Sequence, residues 1–214
     1  MDVDFSIELG RDDPVLDFPW TDKAGKVAYV DLKRRPELMA RVEEAGKYPE
    51  LGEFLRTVNS ARSMVETAKC DAWATMELSA EEEIYDAAHK FASYVDLVFS
   101  NIDVRLSLSA HEQLARRLVE LLRRTPETPS SAEVCVRRCY FGEEGGVREG
   151  FYCTLYVSGY GNDESSARQN WAVGLKLVGN AIVQLSAGTF CFIVITAQGA
   201  PPRRPEPPQR GKRW

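Results

Sequence analysis

The feature of the sequence that most restricts the fold is a β-hairpin, predicted at 133–157, that is apolar on both faces. Residues 133–141 and 148–157 read as two strands, and the glycine-rich segment 142–146 joins them. Apolar residues occupy both the odd and the even positions of each strand. Since a sheet that is apolar on both faces is normally covered on both, we predict packed structure on each side.

From residue 101 onward, the spacing of apolar residues predicts six elements in the order strand, helix, strand, strand, helix, strand. A strand is predicted where they recur at every second position, and a helix where they recur every three or four. This order is typical of the split-βαβ, ferredoxin-like architecture, in which both helices lie on one face of a four-stranded antiparallel sheet. The elements are a strand at 102–108, a helix at 109–124, the hairpin, a helix at 163–186 and a strand at 189–196.

The sequence pattern of residues 1–100 predicts a helix-rich α/β half that packs on the remaining face of the sheet. Its arm at 11–25 combines two prolines with several apolar residues, so we expect the arm to lie against the body rather than in water. Pro36 suits the first position of a helix. The other predicted elements are strands at 3–9 and 26–32 and helices at 50–67 and 81–99.

The helix at 81–99 has the most regular pattern of this half. Ser79 and Glu82 form a capping box at its start, and its apolar residues lie on one stripe at helical spacing. The preceding segment, 69–78, fits either a strand or a helix, and the new helix start after it favours a strand. The stripe consists of Ile84, Ala87, Ala88, Phe91, Val95 and Val98.

These patterns together predict an α+β protein in which residues 1–100 and 101–197 form one compact body. Residues 198–214 contain five prolines and are predicted to be a disordered tail. The tail has five basic residues and one acid, a net charge of +4. The chain as a whole carries −5, which leaves −9 for residues 1–197. An acidic body repels phosphate backbones, which argues against a nucleic-acid partner.

The composition also bears on location. The longest apolar run, 190–195, is far shorter than the ~20 residues that span a bilayer, and no secretory signal is recognised at Met1. The five cysteines are an odd number, which favours free thiols in a reducing compartment. We therefore expect a cytoplasmic protein with no membrane association.

No catalytic, cofactor-binding or metal-binding residues are predicted. Cys135 and Cys139 lie on one strand, where their sulfurs would be about 13 Å apart, so we interpret them as small core residues. His89 has one acid a turn away, and His111 falls in the first turn of a helix. Neither histidine lies in a recognisable catalytic or metal-binding motif.

Two segments could form a binding surface. The aromatic and basic residues of the hairpin could stack nucleic-acid bases, but the characteristic aromatic-rich motif is absent, the body is acidic, and burial under residues 1–100 explains the same residues. The segment 159–164 resembles a phosphate-binding loop only in its glycines, and its acids would repel an anion. We predict instead that this loop contacts a protein. The hairpin set is Arg138, Tyr140, Tyr152 and Tyr156, and the loop residues are Tyr160, Asn162, Asp163 and Glu164.

These observations support two hypotheses about function. The first is a non-enzymatic, acidic protein-binding module, such as an inhibitor, an immunity-type antagonist or an adaptor, whose partner would be basic. The second is an enzyme or small-ligand binder with a pocket between the two halves, where Arg137, Arg138 and His89 would be the candidate polar groups. The Pro-Arg tail could in addition serve as a polyproline ligand.

Overall fold

A computed structural model of the protein describes residues 1–143 and 145–197. It is an α+β structure built on one open, mostly antiparallel sheet of six strands. The strands are β1 Asp2–Ile7, β2 Leu16–Phe18, β3 Val65–Thr75, β4 His89–Phe99, β5 Ser130–Glu143 and β6 Gly146–Gly161. The helices are α1 Glu43–Lys47, α2 Pro49–Val58, α3 Ile102–Arg105, α4 Leu108–Leu122 and α5 Glu164–Ala197, with two 3-10 helices at Pro36–Arg41 and Ala80–Tyr85.

Strands from both parts of the chain share this sheet, and the two strands of the C-terminal part lie side by side between strands of the N-terminal part. The order is β1, β5, β6, β4, β3, and β2 pairs with β5 beyond the end of β1. The predicted hairpin is confirmed as β5 and β6, which pair from Ser130 and Gly159 to Glu143 and Gly146. Both N-terminal strands run parallel to β5, whereas all other pairs are antiparallel.

One face of the sheet is covered by α2, α4 and α5, whose apolar residues form the main core with the inward side chains of β4 and β6. Trp171 of α5 lies at its centre, fully buried, and its Nε1 donates to Ser93 Oγ at 2.8 Å. A Cβ on Gly159 would lie 2.0 Å from the Trp171 backbone nitrogen. The glycine is therefore required for the close approach of α5 to β6.

One end of the opposite face is covered by the N-terminal arm, as predicted. Leu16 and Phe18 of β2 are buried in a second apolar cluster that includes Phe141 and Tyr152. Arg105 closes this cluster: its guanidinium lies 5.1 Å from the ring of Phe18 and 5.2 Å from that of Phe141. The remaining members are Ala68, Val98 and Cys139.

The prediction of a helix at 81–99 is wrong. The capping box of Ser79 and Glu82 is present, but it starts only the 3-10 turn Ala80–Tyr85. The turn ends at Asp86, whose φ of 45° turns the chain into β4. Most of β4 is buried on both faces, so its apolar residues have no two-residue period, and part of the run matched a helical spacing by coincidence.

The ferredoxin-like arrangement is not confirmed, because the segments predicted as its first and last strands form helices. Residues 102–108, predicted as a strand, form α3 and the start of α4, and the Asn101 side chain accepts hydrogen bonds from the amides of Asp103 and Val104. Residues 189–196 continue α5 to Ala197. The helices predicted at 109–124 and 163–186 are confirmed as α4 and the body of α5.

The N-terminal half also differs from expectation in part. The strand at 3–9 is confirmed as β1, and the segment 69–78 is mostly strand, within β3. Residues 26–32 form no strand beyond one isolated bridge between Thr21 and Ala28. The helix predicted at 50–67 ends at Val58. Because α2 lies on the same face as α4 and α5, this half contributes to the second face the arm and the short 3-10 helix Ala80–Tyr85 rather than α2.

Residues 198–214, predicted as a disordered tail, lie outside the described residues. In the part of the chain that the structure describes, no helix combines the length and the apolar character needed to cross a membrane.

Candidate functional site

The second face of the sheet has an accessible centre, which we call the open face. Asp71, Tyr94, Tyr156 and Glu133 are direct cross-strand partners on β3, β4, β6 and β5, so their side chains lie side by side. The adjacent positions place Trp73, Asp96, Thr154 and Arg137 on the same face. The open face is defined by Asp71, Trp73, Tyr94, Asp96, Glu133, Arg137, Thr154 and Tyr156.

Three aromatic rings cross the open face in a row, which we call the aromatic row. The ring centroids of Trp73 and Tyr94 are 6.5 Å apart, and those of Tyr94 and Tyr156 are 6.4 Å apart. Trp73 is 38% exposed, and both tyrosines are half-buried. Exposed carboxylates flank the tyrosines, Asp71 on β3 and Glu133 on β5. The aromatic row thus lies between the carboxylates of Asp71 and Glu133, and the cations Lys69, the cross-strand partner of Asp96, and Arg137 lie on the same face.

Beside the aromatic row lies a buried polar network centred on Arg137. Its Nη1 donates to Thr154 Oγ1 at 3.0 Å and to the Tyr156 hydroxyl at 3.1 Å, and its Nε donates to Glu8 Oε2 at 2.7 Å. Thr154 in turn donates to Asp96 Oδ1 at 2.7 Å. The guanidinium also stacks 5.6 Å from the Tyr156 ring. This network fixes the position of the tyrosine at the end of the aromatic row.

Asp96 is the member of the network whose charged form is most disfavoured by burial. It is 6% exposed, and burial raises its pKa to about 6, although the hydrogen bond from Thr154 and the charges of Lys69 and Arg137 oppose the shift. A carboxyl whose pKa is raised by folding stabilises the protein when protonated. That stability is present below the unfolded pKa of about 3.9 and is lost as the pH rises through about 6.

We therefore expect Asp96→Asn to stabilise the protein at pH 7 by about 1–3 kcal/mol, because the amide keeps an acceptor for Thr154 without the charge. The gain should vanish near pH 4, and urea unfolding at several pH values measures it. Asp71→Asn removes an exposed charge from the neighbouring strand and is the matched control. An equal gain in both variants at every pH would contradict this account.

The register of the hairpin changes the composition of the aromatic and basic set. Arg137, not Arg138, is the cross-strand partner of Tyr152 and shares its face with Tyr156. Arg138 points to the other face, where it donates to the carbonyl of Leu9. Tyr140 lies further along β5 and is exposed, whereas Tyr152 is buried under the N-terminal arm. The predicted set is therefore not one surface.

The segment predicted as a protein-contacting loop is largely strand, since β6 extends to Gly161. Tyr160 is 1% exposed: its ring stacks on Tyr85 at 3.9 Å and its hydroxyl donates to Glu82 at 2.7 Å. A protein contact by Tyr160 would require an exposed side chain, whereas the 3-10 turn covers this residue. Asn162, Asp163 and Glu164 are exposed, and their contact with a protein stays a prediction.

Asp163 and the cysteines behave as their sequence context suggests. The Asp163 carboxylate accepts a hydrogen bond from the Ser166 amide at 2.7 Å at the start of α5. Cys135, Cys139 and Cys153 are free and buried, and burial raises the pKa of each thiol to about 12. The interpretation of Cys135 and Cys139 as core residues is confirmed.

Both histidines lie away from the aromatic row. His89 is half-buried at the first position of β4 rather than on a helix. His111 is fully buried: its Nδ1 lies 2.8 Å from the Ser107 carbonyl, and its ring is edge-on to Phe99. Burial lowers the pKa of His111, which favours the neutral imidazole. Its surroundings are those of a core side chain.

One cluster has ligand atoms close enough to share an ion. The carboxylates of Glu8 and Glu133 and the sulfur of Cys135 lie within 4.8 Å of one another. Glu8 is already paired with Arg137, and burial raises the pKa of the Cys135 thiol, which disfavours the thiolate that a metal requires. The arrangement is explained by the ion pair without a metal.

Two cavities flank the sheet. One, of about 420 Å³, lies between β3 and residues 20–32 and 41–44, with Lys69, Asp71 and Tyr94 in its wall. The other, of about 590 Å³, is mainly apolar and lies between the two halves, with Met64 and Phe99 from one and Leu114 from the other. Arg137, Arg138 and His89 line neither of them.

The open face depends on residues that the sequence patterns did not single out, namely Trp73, Tyr94 and Asp96. A helix at 81–99 would have separated Tyr94 and Asp96 from the hairpin. The available signal was Asp96 itself, the one carboxylate inside the largely apolar run 91–99. An acid in such a run indicates a strand that is buried on both faces and carries one polar side chain on one of them.

Comparisons with models of known protein families, with curated proteins and with solved structures found no match to the chain. Its function is therefore inferred from its own residues.

Proposed function

We propose that the protein is a non-enzymatic, cytoplasmic protein-binding module that holds lysine or arginine side chains of a protein partner on its open face. The observation that carries the proposal is the aromatic row of Trp73, Tyr94 and Tyr156, flanked by the carboxylates of Asp71 and Glu133. A cytoplasmic location is supported by the free thiols of the four cysteines described.

Aromatic faces attract cations because the ring carries negative charge density above its plane. A lysine or arginine head group within about 6 Å of a ring centroid gains ~0.5–2 kcal/mol, with the larger values in desolvated sites. The two flanking carboxylates add direct ion pairs at the ends of the row. The arrangement suits an extended basic segment that places one cation over the rings and others near the acids.

The overall charge supports the same class of partner. Residues 1–197 carry a net charge of −9, which accelerates the encounter with a basic protein and makes binding sensitive to salt. The same charge opposes base stacking of a nucleic acid on the aromatic row, because Asp71 and Glu133 would face its phosphates.

The proposal is tested by the binding of a fluorescein-labelled nona-lysine peptide to the full chain, followed by anisotropy. We expect binding that weakens as NaCl is raised from about 50 mM to about 300 mM, since the contacts are electrostatic. Loss of two rings in Trp73→Ala/Tyr94→Ala should weaken binding at least about tenfold, equivalent to ~1.4 kcal/mol. Nona-glutamate and a twelve-nucleotide oligo-dT serve as probes of the wrong charge.

Tyr140→Ala is the matched control, because this exposed tyrosine lies outside the open face. It should bind nona-lysine as tightly as the unaltered chain. If the double variant binds as well as Tyr140→Ala, or if oligo-dT binds more tightly than nona-lysine, the open face is not a site for basic protein segments.

The alternative function is that of a small-ligand binder or enzyme. It is favoured by the 590 Å³ apolar cavity, which lies between the two halves, where the sequence analysis placed the pocket of a ligand binder. Arg117 and Gln113 provide polar groups in its wall, in place of the arginines and histidine expected from sequence. This alternative predicts that small apolar compounds raise the melting temperature and that basic peptides leave it unchanged.

A further inference from the structure

We propose that the basic segment of the partner binds as an additional β-strand, antiparallel to β3 along the outer edge of residues 69–75, which we call the free edge. The inference rests on the proposed function, and extends it from the type of side chain that is bound to the conformation of the segment that carries it. The occupant is an extended protein segment in which lysine or arginine alternates with residues that favour strands.

The free edge has backbone groups that no other strand uses. β3 is the last strand of the sheet, and in the described part of the chain no strand pairs with it on the side away from β4. The Ala72 amide donates to the Asp71 carboxylate at 2.7 Å, so it is not bonded to β4. Every second residue of a strand points its backbone groups to the same side, so those of Cys70 and Ala74 point outward as well. Such a row is a template for a further strand.

The start of β3 is closed by the N-terminal part of the chain, whereas the free edge has room beside it. Trp20 Nε1 donates to the Ala68 carbonyl at 2.6 Å, and Lys33 Nζ donates to the Val65 carbonyl at 2.9 Å. The cavity of about 420 Å³ borders the strand at 67–71. The exposed residues of the free edge are Lys69, Asp71, Trp73 and Ala74. A strand can therefore be added beyond Ala68 without displacing packed chain.

Pairing at the free edge determines which incoming side chains reach the open face. Residues directly opposite each other in an antiparallel pair share a face, with Cβ atoms about 4.5–5.5 Å apart. The residue opposite Asp71 thus lies within ion-pair reach of an exposed carboxylate, and the residue opposite Trp73 lies beside the first ring of the aromatic row. Lysine or arginine suits both positions. Lys69 repels a cation, so the residue opposite it is not basic.

The net charge favours a basic segment over a second copy of this chain at the free edge. Residues 1–197 carry −9, so two copies repel each other, whereas a basic segment is attracted.

The test peptide is the fluorescein-labelled heptapeptide Thr-Val-Lys-Val-Lys-Val-Thr with capped termini, whose binding to the full chain is followed by anisotropy. In the proposed pairing its lysines lie opposite Trp73 and Asp71, and its valines lie opposite Ala74, Ala72 and Cys70. The backbone groups of the valines then face β3, and those of the lysines face away from it. The peptide should bind, and binding should weaken in the variant Trp73→Ala/Tyr94→Ala.

Two methylated forms of this peptide distinguish an added strand from binding by side chains alone. Methylation of the backbone nitrogens of the last two valines removes two hydrogen bonds to β3 and should weaken binding at least about tenfold. Methylation of the backbone nitrogens of both lysines is the matched control, with the same charge, length and composition. It should change binding less than about twofold, because those nitrogens do not face β3.

Ala74→Pro tests the free edge from the side of the protein. Proline removes the outward amide and is tolerated in an edge strand where that amide faces water. This variant should bind the unmodified heptapeptide at least about fivefold more weakly. Ala74→Val keeps the amide and should bind it as the unaltered chain does. Urea unfolding verifies that both variants are folded, and the methylated peptides give the same test on the unaltered chain.

Equal binding of the two methylated peptides would overturn the inference. A dimer of the unliganded chain in light scattering, dissociated by Ala74→Pro, would also overturn it, because a second copy would then occupy the free edge. If the methylated peptides bind equally and nona-lysine still requires Trp73 and Tyr94, the proposed function stands without the added strand. If neither nona-lysine nor the heptapeptide binds, both proposals are wrong.

Discussion

Arg105→Met is expected to lower the free energy of unfolding by about 3–5 kcal/mol, because it leaves a buried carboxylate without its main partner. Glu66 is fully buried, and Arg105 Nη2 lies 2.7 Å from its Oε1. The next cation, Arg34, is mostly exposed and lies 3.8 Å from the other oxygen. The variant also loses the hydrogen bond from Arg105 Nε to the Phe99 carbonyl. Urea unfolding at pH 7 measures the change.

The pH dependence identifies the cause. Burial raises the pKa of Glu66, and loss of Arg105 removes the largest opposing influence. The cost of the substitution should therefore shrink as the pH falls through the further raised pKa that Glu66 has in the variant, because protonation removes the unpaired buried charge. Arg116→Met, in an exposed pair with Glu112, is the control and should cost below ~1 kcal/mol at any pH. A cost for Arg105→Met that is independent of pH would assign the effect to lost packing.

Trp171→Ala is expected to cost about 3–5 kcal/mol by leaving a cavity at the centre of the main core. The indole is fully buried against Phe91, with ring centroids 4.6 Å apart, and its Nε1 hydrogen bond to Ser93 would also be lost. Trp73→Ala removes the same side chain from a site that is 38% exposed, and should cost much less. Similar losses for the two tryptophans in urea unfolding would show that α5 is not packed on β6 as described.

The sequence predicted the parts of the fold in which one face of an element meets water. The helix α4 shows a clear apolar stripe because its other side is exposed, and β1 alternates for the same reason. The hairpin was recognisable from its glycine-rich turn, although its register was not, and register decided that Arg137 rather than Arg138 meets the tyrosines. A shift by one residue moves a side chain to the opposite face.

The failures come from segments where burial removes the period or chance imitates one. Phe91 and Val95 are four residues apart, which suits one helix face and equally one strand face. Ile102 and Val104 alternate with polar residues, yet Asn101 caps a helix there and Ile102 is exposed. The run 190–195 is rich in aromatic and β-branched residues typical of strands, but the chain continues the helix α5 through it.

The candidate site could not be predicted from the sequence, for a related reason. Its aromatic row joins Trp73 of β3, Tyr94 of β4 and Tyr156 of β6, which are brought together only by cross-strand pairing. With β4 read as a helix, no pattern could place Tyr94 beside Tyr156. The acidic balance of the chain, by contrast, was readable at once and already favoured a basic partner.

The parallel pairing of β1 with β5 has a consequence for the time course of folding. Asp2–Ile7 align with Ser131–Val136, so β1, which precedes the other strands of the sheet, cannot pair with β5 until the chain has been synthesised past Val136. During that interval its backbone donors and acceptors are exposed to water and to other nascent chains. A contact between such distant positions raises the contact order and slows folding relative to a protein built from local hairpins. This edge of the sheet thus cannot close before β5 has been made, although β1 precedes the other strands of the sheet in the chain.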